Sequence, residues 1–168
     1  ISEIAKGFEF QVKAAGVKLQ VGDMPSCFGN ELQVNQVFSN LLNNALKYLA
    51  PQRAGEIKIT GEEIKGNGNH PRVIYCVEDN GIGISPEYHK KIFEIFSRLN
   101  PEDTEGEGLG LTIVNKIIAR HHGKVWVESE PGKGSKFFVS FPTLPIPINN
   151  IGNTTNTTEP TAPPPQTT

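Results

Sequence analysis

The stretch RVIYCVEDNGIGI, residues 72–84, joins a strand pattern to a glycine turn, and it is the most informative segment for the fold. Its first part, residues 72–78, is rich in β-branched residues and predicts a buried strand. Gly81 and Gly83 permit a tight turn and a close approach of a ligand to the backbone. Asp79 is expected to project from the strand end into the resulting pocket, where a carboxylate can accept an amine hydrogen. An ordinary Asn-Gly turn explains the same letters, so this motif alone leaves both interpretations open.

Helical patterns flank this stretch on both sides. The cap Asn30 and an apolar stripe predict a helix that runs to about Tyr48. The members of that stripe are Leu32, Val34, Val37, Phe38, Leu41, Leu42 and Ala45. Ser85-Pro86 predicts a helix through Leu99, because Ser is a good cap and Pro fits a first turn. Further helices are predicted over residues 1–15 and 109–121, the last one with Gly123 at its left-handed cap.

Strand patterns fill the intervals between these helices. Besides residues 72–78, strands are predicted at residues 17–21, 56–62, 124–130 and 136–141. Most of these strands are linked as hairpins, and helices are interspersed among them. The pattern indicates an α+β fold, a two-layer α/β sandwich with helices on one face of the sheet.

Composition narrows the classes of protein. The 168 residues are enough for one compact domain, and the formal net charge of −2 gives no basic surface for nucleic acid or an anionic membrane. We find no stretch as long as a membrane span and no signal peptide. Cys27 and Cys76 lack CxxC spacing, which argues against a zinc site and a disulfide framework and favours two thiols in a reducing compartment.

The ends of the chain differ from its middle. The first residues are already in a helical pattern, so we expect a fragment of a longer protein, with one domain over residues 1–142. Residues 143–168 are rich in Pro, Thr and Asn and predict a disordered tail, because they hold too little apolar surface to offset their ordering entropy.

Two asparagines in the predicted helix are candidates for metal binding. Asn40 and Asn44 lie four residues apart and therefore on one helix face. A carboxamide oxygen can bind Mg²⁺, and Lys47 one turn later can reach a phosphate. The same residues would also form the solvated side of an amphipathic helix, and this segment alone does not decide between the two.

A second glycine motif, residues 106–111 (GEGLGL), precedes Thr112 and the last predicted helix. Glycines at a helix N-terminus expose backbone N–H groups where the helix dipole favours anions. The GK[ST] ending of a P-loop is missing, and so is the GxGxxG spacing of a dinucleotide site. A flexible linker is the alternative for this motif alone. In their joint order, however, the three motifs supply a metal ligand, a base-binding carboxylate and a phosphate cradle for a Mg-nucleotide.

These motifs resemble the nucleotide-binding signature of histidine kinases in the gyrase, chaperone, kinase and mismatch-repair ATPase superfamily. Residues 40–48 resemble the N box, residues 79–83 the first glycine box, residues 93–96 the F box and residues 106–111 the second glycine box. The resemblance covers residues 1–142, and its later part is similar to phytochrome-type and hybrid sensor kinases. It implies the Bergerat ATP-binding fold, with a mixed, mostly antiparallel sheet, three helices on one face and a mobile lid over ATP at about residues 97–107.

The resemblance also implies roles for individual residues. Asn44 would bind Mg²⁺, with Asn40 and Lys47 at the phosphates. Asp79 would bind the adenine amine, Gly83 would pack under the base, and Tyr48 would flank it. The remaining implied contacts are Gly81 and Ile82 in the first glycine box, Phe93 and Phe96 as anchors of the lid, Gly106, Gly108, Leu109, Gly110 and Leu111 at the phosphates, and Thr112 near adenine.

The residue at position 40, an asparagine, distinguishes a kinase from a hydrolase within this superfamily. ATPases of this superfamily carry a general-base Glu at that position, and an amide cannot take a proton from water. The resemblance therefore implies a protein-histidine kinase domain that uses ATP and Mg²⁺. Its partners would be the dimerisation and phosphoacceptor domain of the same protein, a second copy of the kinase and the receiver domain of a response regulator, but no nucleic acid. The location would be cytoplasmic, whether or not the parent protein is anchored in a membrane.

The acceptor histidine is expected upstream of this chain. None of the chain's own histidines lies in an acceptor-like context, so all are interpreted as structural: His70, His89, His121 and His122. Two alternatives stay open. One is a superfamily ATPase of the gyrase or mismatch-repair type. The other is a degenerate nucleotide-binding kinase module, which Glu107 favours because it puts a carboxylate where the family has a small residue near the phosphates.

Overall fold

A computed structural model describes residues 7–8, 11–65, 71–94 and 109–145, and the structural statements below concern these residues. The strands are β1 (Lys18–Val21), β2 (Glu56–Ile64), β3 (Arg72–Asp79), β4 (Val125–Glu130) and β5 (Gly134–Pro142). The two long helices are α1 (Glu31–Lys47) and α2 (Gly110–Arg120), and residues 7–8 and 11–14 are helical as well. Every predicted strand is present, with its bounds within two residues of the prediction.

The strands form one five-stranded sheet in the order β1-β2-β3-β5-β4. Only β1 and β2 run parallel, and the other neighbouring pairs are antiparallel. In the centre of the sheet, Val77 lies opposite Ile59 on one side and Phe137 on the other. The predicted α+β sandwich, with a mixed and mostly antiparallel sheet, is therefore confirmed.

The core lies between the sheet and the helices. In β3 the buried residues alternate, and Val73, Tyr75 and Val77 are all fully enclosed. The ring of Phe38 in α1 meets the ring of Tyr75 edge to face, with centroids 5.3 Å apart. Each such buried side chain stabilises the fold by about 1.5–3 kcal/mol. Packing of α1 on β3 thus fixes where the end of that strand lies.

The cap Asn30 is where the sequence predicts it. Its side-chain Oδ1 accepts the backbone N–H of Gln33 at 3.1 Å, and the backbone at Asn30 is extended. The apolar stripe of α1 is buried as predicted except at Leu32, which is 78% exposed. Leu32 belongs to the predicted stripe, but it lies in the first turn of the helix and its side chain is exposed to solvent.

The helix predicted from Ser85 is wrong over the described part of its range. Residues Pro86–Tyr88 and Lys91–Phe93 form two separate 3₁₀ turns, and Glu94 returns to extended backbone. Ile92 and Phe93 both pack on the core although they are adjacent in sequence. Residues 95–99 of the predicted helix lie outside the described residues.

The end of α2 also differs from the prediction. The left-handed residue is His122, with φ 53°, and not Gly123. The N–H of His122 bonds to the carbonyl of Ala119, and the N–H of Gly123 bonds to that of Ile118, as in a Schellman motif. Gly123 is needed for space, because a Cβ there would lie 2.0 Å from the carbonyl oxygen of Ser140.

Three further predictions concern the rest of the chain. Cys27 and Cys76 are both half-buried free thiols. Within the described ranges, no helix combines the length and the apolar character that crossing a membrane requires. The predicted tail, beyond Pro145, lies outside the described residues, as does His70.

Candidate functional site

The candidate site lies at the end of β3, where the strand gives way to the loop of residues 80–83. Asp79 is the last residue of β3, and its side chain points to the helix side of the sheet, where it is only 7% exposed. Its Oδ1 accepts the backbone N–H of Gly81 at 2.8 Å. The end of the strand thus places a carboxylate in the protein interior, and a backbone N–H of the following loop donates a hydrogen bond to it.

Burial raises the pKa of Asp79 from 3.8 to about 6. The N–H groups of Gly81 and Ser135 and the charge of Arg53 oppose this rise, and the neighbouring Glu78 adds to it. A buried carboxylate with a raised pKa is typical of a binding site, because a ligand that donates hydrogen bonds to it recovers the lost solvation.

The loop that follows Asp79 is packed against two other segments. A Cβ on Gly81 would lie 2.2 Å from the carbonyl oxygen of Tyr48, at the end of α1. Gly83 has φ +73°, and a Cβ there would lie 1.9 Å from the carbonyl oxygen of Glu130 in β4. Both glycines are therefore required because other backbone segments approach them closely, whereas the sequence predicts the approach of a ligand.

The end of α1 forms the next wall of the site. The N–H of Ile82 donates to the carbonyl oxygen of Tyr48 at 2.9 Å. The Lys47 ammonium lies 5.1 Å from the centre of the Tyr48 ring, within reach of a cation–π contact. The side chains of Tyr48 and Ile82 are both partly exposed. This arrangement places two large side chains beside the loop that holds Asp79.

The start of α2 lies beside the asparagines of α1. A Cβ on Gly110 would lie 3.3 Å from Asn40 Oδ1, so the glycine allows the two helices to approach. The Asn40 Nδ2 donates to the carbonyl of Gln36, which turns Oδ1 toward α2. Asn44 is half-buried one turn later on the same helix face. The structure thus brings the N-terminus of α2 to the face that carries both amides.

Among the described residues, no side chain caps that N-terminus. Leu109 occupies the cap position without a side-chain hydrogen bond, and the first turn of α2 holds no acidic residue. Its backbone N–H groups and the positive end of the helix dipole therefore favour an anion. Leu111, in the same turn, is half-buried against the core.

Two predicted site residues have structural contacts. The hydroxyl of Thr112 donates to the carbonyl of Glu94 at 3.0 Å, which ties α2 to the second 3₁₀ turn. Phe93 packs on the hydrophobic core. The predicted contacts Phe96, Gly106 and Gly108, the lid of residues 97–107 and Glu107 lie outside the described residues.

The sequence patterns do not predict the roles of two residues in this region, Arg53 and Asn80. Arg53 donates hydrogen bonds to the carbonyl oxygens of Asn80, Gly81 and Gly132. Asn80 bonds through its side chain to the backbone of Ala54 and Glu56. A cation and an asparagine in loops carry no periodic signal, and their partners are at least 24 residues away.

Comparison with known proteins identifies the family. Residues 29–145 match the family described as histidine kinase-, DNA gyrase B- and HSP90-like ATPases. The chain belongs to this family. Among curated proteins it is similar to the phytochrome-like protein Cph1 of Synechocystis sp., with 40% identity over 133 residues, which is 79% of this chain and 17% of that protein. It is 36% identical over 155 residues to the sensor histidine kinase RppB of the same organism, covering 88% of this chain and 32% of that one.

Solved structures agree with this assignment. The catalytic domain of histidine kinase ThkA matches with a TM-score of 0.71 and 29% identity, over 86% of this chain and 92% of that one. Full-length ShkA in complex with AMPPNP also matches with a TM-score of 0.71 and 29% identity, over 88% of this chain and 30% of that one. ThkA in complex with the response regulator TrrA matches with a TM-score of 0.67 and 25% identity, over 85% of this chain and 39% of that one.

These likenesses confirm the predicted resemblance to histidine kinases and to the phytochrome-like members among them. The chain spans about a sixth of Cph1 and a third of RppB. What it shares with them is one domain of longer proteins.

Proposed function

We propose that this chain is the ATP-binding catalytic domain of a two-component sensor histidine kinase. It binds Mg-ATP and transfers the γ-phosphoryl group to a histidine on a separate dimerisation domain, for relay to an aspartate of a response regulator. The observation that carries this proposal is the buried carboxylate of Asp79, held by the 80–83 loop beside the helix that bears Asn40 and Asn44. The AMPPNP complex of its structural neighbour ShkA supports it.

The adenine end of the nucleotide would be recognised by Asp79. Its carboxylate accepts a hydrogen of the exocyclic amine, and burial strengthens that bond. Gly81 and Gly83 belong to the loop beside this carboxylate, and Gly83 would pack under the flat base. The side chains of Tyr48 and Ile82 would cover the base. A site of this kind distinguishes adenine by one charge-assisted hydrogen bond.

The phosphate end would lie between α1 and α2. The backbone N–H groups at the start of α2, in Leu109, Gly110 and Leu111, would bind phosphate oxygens. Neutral amide oxygens on one helix face suit Mg²⁺, so Asn44 would be its protein ligand, with Asn40 beside it at the phosphates. When bound, Mg²⁺ neutralises charge on the phosphate oxygens. Lys47 adds a point charge near the same group.

The remaining proposed contacts concern the part that covers the nucleotide. Phe93 and Phe96 would anchor the lid of residues 97–107, with Gly106 and Gly108 at the phosphates and Thr112 close to the base. Phe93 is suited to this role, because it packs on the core immediately before that segment.

Transfer, and not hydrolysis, follows from the chemistry of Asn40. An amide cannot deprotonate water, so the domain holds ATP until a histidine nitrogen is in line with the γ-phosphorus. The bond from phosphorus to the bridging oxygen then breaks, a bond from phosphorus to nitrogen forms, and ADP leaves. Positioning and charge neutralisation supply most of the acceleration.

The proposal includes the partners and the location of the domain. A second copy of the kinase, its phosphoacceptor helices and a receiver domain are required for the relay, and the complex of ThkA with a response regulator supports this set. Dependence on ATP places the domain in the cytoplasm, whether or not the parent protein has a membrane anchor.

Calorimetric titration with Mg-ATP tests the site. We expect Asp79→Asn to weaken binding by at least about 1.5 kcal/mol, because the charge-assisted bond is lost. The exposed Asp23→Asn is the matched control and should bind like the wild type. Equal affinity of both variants would remove Asp79 from the adenine role.

A second experiment separates the kinase from the alternatives. The domain is mixed with the purified dimerisation domain of its parent protein and labelled ATP, and the product is tested for acid-labile, base-stable phosphate. Rapid phosphate release without the acceptor would support a superfamily ATPase. Nucleotide binding without any histidine phosphate would support the degenerate module that Glu107 favours.

A further inference from the structure

Arg53 lies in the segment between α1 and β2, and its guanidinium group joins two other segments of the chain. Its Nε donates to the carbonyl oxygen of Asn80 at 2.8 Å. Its Nη2 donates to the carbonyl oxygens of Gly81 at 2.8 Å and Gly132 at 2.6 Å. The first two carbonyls belong to the 80–83 loop, and the third belongs to the turn between β4 and β5. One side chain therefore fixes the relative position of both.

Other hydrogen bonds complete the same arrangement. The Asn80 side chain accepts the N–H of Glu56 and donates to the carbonyl of Ala54, both at 2.8 Å. The N–H of Gly132 donates to the carbonyl of Ile82 at 2.7 Å. The 80–83 loop is thus held by residues 53–56 on one side and by the β4–β5 turn on the other. Its geometry depends on both neighbours, and Arg53 is the residue that contacts them together.

We propose that Arg53 is a positioning residue of the nucleotide site. Its guanidinium group locks the 80–83 loop against the β4–β5 turn, so that Asp79 and the space over the glycines meet adenine in a fixed geometry. This inference rests on the nucleotide-binding function proposed above. Arg53 acts through the loop backbone, and it need not contact the nucleotide.

Two substitutions separate geometry from charge. Arg53→Lys keeps the positive charge, but an ammonium group cannot reproduce the planar fork that reaches three carbonyls. Arg53→Gln removes the charge as well. We expect both variants to raise the Kd and the KM for Mg-ATP about tenfold or more, which is the loss of about one charge-assisted hydrogen bond. The kcat for phosphotransfer at saturating ATP should change much less, because the acceptor and the phosphate end are untouched.

The pH profile of binding separates the loss of the charge at residue 53 from the loss of its hydrogen-bond geometry. Binding of adenine requires the carboxylate form of Asp79, so affinity declines below about pH 6, where that residue gains a proton. Burial raises the pKa of Asp79, and the positive charge of Arg53 is a smaller influence that lowers it. In Arg53→Gln the acid decline in affinity should therefore move to higher pH, whereas in Arg53→Lys it should stay near its wild-type position.

Arg72→Lys is the matched control. Arg72 also donates its guanidinium N–H groups to a backbone carbonyl, that of His122, but at the opposite end of β3. It should lower the melting temperature without changing the Kd for Mg-ATP. In the nucleotide-free protein, hydrogen exchange of peptides covering residues 80–84 and 131–134 should be faster in both Arg53 variants than in Arg72→Lys.

The outcomes are distinguishable. Wild-type protein that fails to bind Mg-ATP overturns the proposed function and this inference together. Wild-type binding combined with an unchanged Kd in both Arg53 variants overturns the inference alone. If Arg53→Gln does not fold, Arg53→Lys still decides: a higher Kd with an unmoved pH profile supports the positioning role, and an unchanged Kd refutes it.

Discussion

His121 at the end of α2 is hydrogen-bonded to the backbone of Asn30 at the start of α1. The Nε2 atom accepts the N–H of Asn30 at 3.2 Å, and the Nδ1 atom lies 2.8 Å from the carbonyl oxygen of Ile117. A carbonyl only accepts, so Nδ1 is the donor in this arrangement and Nε2 the acceptor. The ring also meets Phe141 edge to face, with centroids 5.4 Å apart. One side chain thus joins both helices to the sheet.

We expect this contact to contribute to stability. His121→Phe keeps the ring but leaves the N–H of Asn30 without its acceptor, which should lower the free energy of unfolding by about 1 kcal/mol. His121→Ala removes the ring as well and should lower it by about 2–3 kcal/mol. Urea denaturation measures both changes. The exposed Lys124→Ala serves as the control, and equal stability of His121→Phe and wild type would contradict the assigned bond.

The left-handed residue after α2 predicts a stabilising substitution. His122 has φ 53°, where glycine has no steric cost, so His122→Gly should raise the free energy of unfolding by about 0.5–1 kcal/mol. Gly123→Ala should do the reverse by a larger amount, because its Cβ would meet the carbonyl oxygen of Ser140. Thermal unfolding of the two variants tests the assignment, and the opposite order of melting temperatures would reject it.

Two glycines with similar backbone angles should respond differently to alanine. Gly83 and Gly132 have φ +73° and +79°, but a Cβ would be crowded only at Gly83. Gly132→Ala should cost about 1 kcal/mol of strain and leave Mg-ATP affinity nearly unchanged. Gly83→Ala should displace the backbone of Glu130 and abolish measurable binding. Calorimetry on both variants, with circular dichroism to check folding, decides; similar affinities would show that crowding at Gly83 is relieved without loss of the site.

Asp79 should make the protein less stable at neutral pH. Burial raises its folded-state pKa from 3.8 to about 6, so the folded state binds more protons than the unfolded state between these values. Its contribution to stability is therefore greatest below about pH 4 and is lost as pH rises to about 6. Asp79→Asn should be more stable than the wild type at pH 7, by about 1–3 kcal/mol, whereas the proposed function predicts that it binds nucleotide less well.

The stability difference between Asp79→Asn and the wild type should shrink as pH falls toward 4. Urea denaturation at pH 7, 5.5 and 4 measures this trend. A difference that is constant across these pH values would mean that the pKa of Asp79 is the same in the folded and unfolded states.

The sequence predicts the parts of the fold that repeat at short range. The alternation in β3 and the apolar stripe of α1 predict the bounds of both elements to within about one residue. Both patterns arise from residues that are close together in the sequence. The segment after Ser85 is mispredicted, because Ile92 and Phe93 are buried by contacts with the core and not by a local period. Tertiary packing overrides the local helix preference in this segment.

The site divides in the same way. Asp79 and Gly83 are found from the motif, since the turn itself requires them. Arg53 is not, because its acceptors lie 27, 28 and 79 residues away and any exposed loop can hold an arginine. Likewise, the residue with left-handed backbone is His122 and not the adjacent Gly123. The sequence of residues 121–123 does not show which of the two adopts that conformation.

The position of Arg53 has a consequence for the order of folding. The three segments it joins follow α1, β3 and β4, so their contacts bring together parts of the chain that are far apart in sequence. Bringing such distant segments together carries a large loop-closure entropy and belongs to a late step of folding. A nucleotide that selects this completed end of the sheet would discriminate mature chains from partly folded ones, and saturating ligand would slow the first opening step of the domain.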